Sequence, residues 1–240
     1  NILVILIDDA GYNDFGFMGS KEMQTPNIDA LTSEGVVFTD AHVAATVSSP
    51  SRACLITGRY GHRFGYECNL SDRTNGLPLE EETIAEVFKT NGYRTAAIGK
   101  WHLGSRDEQH PNNRGFDLFY GMKAGGRDYF YNEKKSDRPG DERNLLLNDR
   151  QVKFEKYLTD AFSEKAVEFI NESSQPFMMY LAYNAVHTPM QATDEDMAKF
   201  EGHPRQKLAA MTYALDRGVG TVIRGLKDSG KFDNTLIFFL

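Results

Sequence analysis

The sequence predicts an α/β fold, a mostly parallel sheet sandwiched by helices, and three observations predict it. Short apolar runs alternate along the chain with amphipathic stretches of helical spacing. The runs at Ile2–Ile7 and Phe177–Tyr183 are continuous, as strands covered on both faces are. Apolar runs also give way at once to polar clusters: Asp8-Asp9, Lys100 with His102, and His187. In open parallel sheets ligands sit beyond the carboxyl ends of the strands, so three clusters point to one shared edge.

Taken in order, Ile2–Ile7 is the first strand, ended by Asp8-Asp9-Ala10-Gly11. Thr25-Pro26 caps a helix through Leu31, with Gly35 as its stop. Val36–Phe38 reads as a short strand, followed by a tight turn that holds Ser48 and then a short apolar helix. Thr83–Thr90 is an amphipathic helix ending near Gly92, and Thr95–Ile98 is a strand running into Gly99-Lys100-Trp101-His102-Leu103-Gly104. Lys123–Asp149, rich in Gly, Asp, Asn, Lys and Arg, reads as one long excursion, and such loops are usually functional. Leu158–Ile170 has helical period, and Phe177–Tyr183 is a buried strand followed by His187-Thr188-Pro189. A long helix spans Gln206–Leu226, with a break or bend expected near Gly218 and Gly220, and Thr235–Leu240 is the last strand.

At 240 residues the chain is long enough for one well-buried domain, or a domain and a fraction. A net charge of -7 and the lack of a basic stripe exclude a general nucleic-acid binder. No window approaches the ~20 apolar residues of a membrane span. Two cysteines make no disulfide framework, and Cys54, inside a helix, reads as a buried thiol. The chain opens directly in a strand and stops in one, which suggests a fragment of a longer polypeptide without its export signal.

The run Ser48-Ser49-Pro50-Ser51-Arg52-Ala53-Cys54-Leu55-Ile56-Thr57-Gly58-Arg59 is the most informative stretch. Pro50 suits a first helical turn, so Ser48 faces a helix N-terminus, where N–H groups and the macrodipole favour negative charge. Arg52 follows one turn on. An oxygen nucleophile there suits attack on a tetrahedral oxyanion, although plain serine needs a base or metal to activate it. Adjacent carboxylates at Asp8 and Asp9 repel unless a cation neutralises them, and Ca²⁺ or Mg²⁺ takes oxygen ligands. Taken alone, each feature has a bland reading: a helix cap, a solvated Asp-Asp turn, a surface lysine, a packed histidine. Together they favour a site. His42, His62, His110 and His203 lack such context, while Arg63, Tyr66, Arg127, Asp128 and again His110 lie on loops that could face a sugar.

The chain resembles the N-terminal catalytic region of the formylglycine-dependent sulfatases over nearly all its length. The matching blocks are Asp8-Asp9-x-Gly11, Thr25-Pro26-Asn27-Ile28-Asp29-x-Leu31, the signature from Ser48, Gly99–Gly104, His187-Thr188-Pro189, Ala214-Leu215-Asp216 and Asp233-Asn234-Thr235. The resemblance implies an alkaline-phosphatase-like fold and removal of sulfate from a sulfated glycan. It implies that Ser48 is oxidised to formylglycine by a maturation enzyme, and that one hydroxyl of the hydrate attacks sulfur. It further implies one calcium ion, Mg²⁺ being less expected, held by Asp8, Asp9 and the oxygen at Ser48. Arg52 would steady the hydrate, Lys100 would pair with sulfate, and His102 would take the proton of the second hydroxyl. His187 would bind sulfate and protonate the leaving oxygen.

Most family members carry cysteine where this chain has Ser48. Their remaining metal ligands, an Asp-Asn pair, and a sulfate-binding lysine would lie beyond Leu240, as would a smaller C-terminal domain. The implied location is periplasmic, extracellular or lysosomal. Two alternatives remain: a phosphate or phosphonate ester hydrolase of the same superfamily, and a silent sulfated-sugar binder if Ser48 is unmodified.

Overall fold

The computed structural model describes residues 1–69 and 76–240. Its centre is a seven-stranded sheet ordered β5-β4-β3-β2-β6-β1-β7. The strands are β1 (Ile2–Leu6), β2 (Arg94–Lys100), β3 (Leu118–Met122), β4 (Leu146–Leu147), β5 (Arg150–Gln151), β6 (Phe177–Ala182) and β7 (Leu236–Phe239). The five strands from β3 to β7 along that order pair in parallel, while β4 and β5 add an antiparallel edge.

Successive side chains of a strand point to opposite faces, and here both faces are covered. Leu3 and Ile5 of β1, Ile98 of β2 and Met179 and Leu181 of β6 face one core. That core is closed by α1 (Pro26–Ser33), α4 (Leu158–Glu172) and α6 (Gln206–Asp228). Val4, Ala97, Met178 and Tyr180 face the other, closed by α2 (Ser48–Thr57) and α3 (Ile84–Thr90). The remaining helix, α5 (Asp194–Ala198), is a short acidic turn capped by Thr193, which accepts from the Asp196 N–H.

The α/β expectation holds, with four local corrections. Val36–Phe38 is irregular and exposed and forms no strand, its apolar side chains finding no layer to pack on. β3 was not expected, since Gly121 interrupts its apolar run; that glycine is required, as a Cβ there would stand 1.9 Å from the Gly99 carbonyl oxygen. The 123–149 excursion ends in the β4–β5 hairpin, turned at Asn148 with φ 55°. Finally, α6 runs unbroken for 23 residues. Its glycines serve close approach, since a Cβ at Gly218 would meet Ser163 Oγ at 2.6 Å and one at Gly220 would meet Asn27 at 2.5 Å.

Two of the blocks quoted for the resemblance lock each other. Asp216 of α6 accepts from the Asn27 and Ile28 N–H groups and from Asn27 Nδ2, at 3.2, 2.8 and 2.7 Å. This satisfies first-turn donors of α1, which have no partner within the helix. Asp29 in turn accepts from Phe17 N–H and Thr25 Oγ1, tying the segment after Asp9 to the same helix.

Candidate active site

The exits of β1, β2 and β6 bring the predicted residues together. Asp8 is held by backbone bonds: its N–H donates to Ala185 and its carbonyl accepts from Val186, at 2.8 and 2.7 Å. The buried Asp8 carboxylate accepts from Arg52 Nη2 at 2.9 Å and from Lys100 Nζ at 2.6 Å. Arg52 also donates from Nε to Ser48 Oγ at 3.0 Å, and from Nη1 to the Lys100 carbonyl and Tyr180 hydroxyl, at 3.2 and 3.3 Å. His102 Nδ1 lies 3.2 Å from Ser48 Oγ on the other side. His187 Nε2 reaches Asp9 Oδ2 at 3.7 Å.

Two cations therefore share one buried carboxylate. Burial opposes ionisation of Asp8, yet Arg52 and Lys100 together hold it below its ordinary value. Burial, with Arg52 beside it, pulls Lys100 down to about 8 in spite of Asp8. Burial, with Lys100 and Arg52, takes His102 down to about 3, so its imidazole is neutral at physiological pH. The buried part of the site has an excess of positive charge inside an acidic chain of net charge -7. That is a local field for an anion.

The source of this field differs from the expectation. Ser48 is the first residue of α2 rather than part of a turn ahead of it. The first-turn donors are largely spent: Ser49 N–H goes to Asn69 Oδ1, Ser51 N–H goes to Val47, and Pro50 has none. Arg52 supplies the positive charge at Ser48. Gly58 ends the helix in the left-handed conformation at φ 65°, its N–H on the Cys54 carbonyl, and Cys54 is a buried free thiol.

Asp9 and His102 both hold left-handed backbone, with φ 60° and 58°. For non-glycine residues this costs energy, and such residues cluster where the site needs a particular aim. His102 is fixed there by its N–H on Lys123 and by its carbonyl, which accepts from Ser49 Oγ at 2.7 Å.

Asp8, Asp9 and Ser48 offer only oxygens, and Asp9 is open, its side chain 65% exposed. That chemistry fits Ca²⁺ or Mg²⁺, which take about six to eight and six oxygens. Among the described residues no cluster of three or more His, Cys, Asp or Glu supplies the rest.

Most of the loop residues expected to face a sugar do not. Arg127 is buried in a bidentate pair with Asp137. Asp128 is buried against Ser136 and Gln191. Tyr66 is buried with its hydroxyl 2.7 Å from Ser49 Oγ, and His110 Nε2 turns to the Asn148 carbonyl. Each was taken by a polar partner inside the protein, and only Arg63 of the set is exposed. Conversely, Tyr180, Gly125 and Gly126 were not anticipated; a Cβ at Gly125 would stand 2.6 Å from His102 Nε2. The alternation of β6 places Tyr180 on the α2 face, but no local pattern marks it as a partner of Arg52.

The family model described as Sulfatase matches residues 1–240. The chain belongs to the sulfatase family. It is similar to arylsulfatase G of Mus musculus, 36% identical over 100% of this chain and 50% of that protein. It is also similar to the uncharacterized sulfatase YdeN of Escherichia coli (strain K12), 33% identical over 100% of this chain and 51% of the relative. Among solved structures, Ps i-CgsB in complex with k-i-k-neocarrahexaose superposes with a TM-score of 0.93 at 45% identity, covering 100% of this chain and 57% of that one. The fold is that of the alkaline-phosphatase-like enzymes, and this sulfatase chain spans about half the length of the curated relatives it matches.

Proposed function

We propose that this chain forms the catalytic part of a sulfuric ester hydrolase that removes sulfate from a sulfated glycan. The observation that carries the reading is the arrangement at Ser48, whose Oγ sits between Arg52 Nε and the neutral His102 ring. Asp8 ties Arg52 to Lys100 directly beside it. Oxidation of Ser48 to formylglycine by a maturation enzyme would supply a hydrate oxygen as nucleophile. A calcium ion held by Asp8, Asp9 and that oxygen would supply further positive charge for the sulfate.

The chain's own residues account for the remaining work. Arg52 holds the oxygen at position 48 in place. Lys100, within reach of the same carboxylate, pairs with a sulfate oxygen. His102 Nδ1 accepts a proton from the oxygen at position 48, as its neutral state allows. His187 Nδ1 lies 2.6 Å from the Thr188 carbonyl, so it carries a proton there and leaves Nε2 to face the site. From Nε2 a protonated His187 donates to the ester oxygen that departs with the sulfur–oxygen electron pair. A periplasmic, extracellular or lysosomal location belongs to the same proposal.

Ps i-CgsB, solved with k-i-k-neocarrahexaose, makes that oligosaccharide the first to test. Full-length protein is expected to release inorganic sulfate from it and to prefer an aryl sulfate over the matched aryl phosphate. Preference for the phosphate would replace this reading with the phosphatase one. Oligosaccharide binding without sulfate release would leave a silent binder.

A further inference from the structure

The segment leaving β3 is a fourth contributor to the catalytic edge, and it brings backbone rather than reacting groups. Gly125 lies against His102, and a Cβ at Gly126 would stand 3.3 Å from His187 Cε1. Directly after them the chain is clamped. Arg127 and Asp137 form a bidentate pair at 2.8 Å with both side chains fully buried, and the guanidinium lies 4.7 Å over the Phe154 ring. Asp137 also accepts from Asn132 N–H at 2.7 Å, and Asp128 binds Ser136 and Gln191 Nε2 at 2.8 and 2.9 Å. A buried ion pair is expensive unless its remaining hydrogen bonds are met, and here they are.

Tyr129 connects this clamp to the other histidine. Its ring is buried and stacked on Tyr157 at 5.3 Å. Its N–H donates to Gln191 Oε1 at 2.8 Å. Its hydroxyl lies 2.6 Å from the Asn184 carbonyl and 2.8 Å from that of His187, so its one proton is shared between the two ends of the loop that carries His187. Burial pushes the phenol up, and the hydroxyl keeps that proton.

We infer that residues 125–137 are a rigid frame that positions both histidines, with Tyr129 as the positioning residue that aims His187 Nε2 at the leaving oxygen. The inference rests on the proposed role of His187 as proton donor. In that step the sulfur–oxygen bond breaks, its electron pair stays on the leaving oxygen, and the Nε2 proton joins that oxygen to give the alcohol. Aim matters most when the leaving oxygen is basic. A sugar hydroxyl needs the proton as it departs, and a nitrophenolate does not.

The test compares the full-length, matured protein with Tyr129→Phe on k-i-k-neocarrahexaose and on 4-nitrophenyl sulfate. Tyr157→Phe is the control: it removes a buried hydroxyl that donates to Gln191 O at 2.8 Å, keeps the ring stacked on Tyr129 and leaves the Tyr129 hydroxyl its two carbonyls. Tyr129→Phe is expected to lower kcat on the oligosaccharide by ~10–100-fold with little change in KM, the scale of a misaimed catalytic group. On the nitrophenyl ester it stays within about three-fold, as does Tyr157→Phe on both substrates. Equal losses on both substrates, or none, overturn the inference. Should Tyr129→Phe fold poorly, Gly126→Ala crowds His187 without removing a hydrogen bond and must show the same dependence on leaving group. If the unsubstituted protein cleaves neither ester, the functional reading fails and takes the inference with it. Turnover by the unsubstituted protein with uniform variant losses sinks the inference alone.

Discussion

The site has two unlike corners. Asp8, Arg52, Lys100 and Tyr180 form a buried corner joined by direct bonds between side chains from strand ends and one helix. His102 and His187 form a half-open corner, with His102 Nδ1 beside Ser48 Oγ and His187 Nδ1 on the Thr188 carbonyl. Their loops are held instead by backbone bonds, by the glycines at 125 and 126, and by Tyr129. The difference separates two tasks. Charge must be fixed where water cannot screen it, whereas groups that move protons must meet the substrate and stay accessible.

The comparison can be broken at several points. Ser48→Ala removes the oxygen both corners address, and kcat/KM on any sulfate ester is expected to fall by ~10³-fold or more with the fold intact. Steady-state kinetics beside a melting curve checks this. Asp8→Asn breaks the buried corner alone and leaves two buried cations without their carboxylate. A loss of ~3–5 kcal/mol is expected from denaturant unfolding, together with loss of activity. Gly125→Ala strikes only the open corner, where its methyl would stand 2.6 Å from His102 Nε2. It is expected to cost ~10–100-fold in kcat. The stability change should stay below about 3 kcal/mol, the usual range for overpacking.

Legibility in the sequence follows the same division. Three members of the buried corner were readable, because Asp8 follows a strand, Lys100 ends one and Arg52 sits in the signature helix, whereas Tyr180 was not. The frame of the open corner was not. β3 is interrupted by Gly121, and the 123–149 excursion is polar in composition, so it read as a loop facing solvent or sugar. Its Arg127 and Asp137 find each other ten residues apart only once the chain folds back. The glycines at 218 and 220 misled in the opposite sense: they suggested a bend, but tertiary packing against Ser163 and Asn27 overrides the weak helix propensity. The blocks around Asn27 and Asp216 carried the family resemblance, and their role, a helix-capping lock, appears only in the fold.

A smaller effect sharpens the contrast from outside both corners. Asp117, at the opposite end of the sheet and partly exposed, accepts bonds from Lys89 and from Thr95 N–H, which hold its pKa below the ordinary 3.8 against partial desolvation. A depressed carboxylate stabilises the fold above its unfolded pKa and loses that contribution as pH falls through the folded one. Stability should therefore decline on acidification below about 3.8, and Asp117→Asn should flatten that part of the slope without altering activity at neutral pH. Urea unfolding across this range is the measurement.

Catalysis is assigned to a hydrate oxygen on the oxidised β-carbon of residue 48. Peptide mass spectrometry of the Ser48 fragment, run on the same samples as a sulfate-release assay, tests it most directly. The fragment is predicted to be lighter by two hydrogens than plain serine, with turnover rising in proportion to the oxidised fraction and vanishing with it. Sulfate release at full rate by protein whose Ser48 is entirely unmodified would contradict the account.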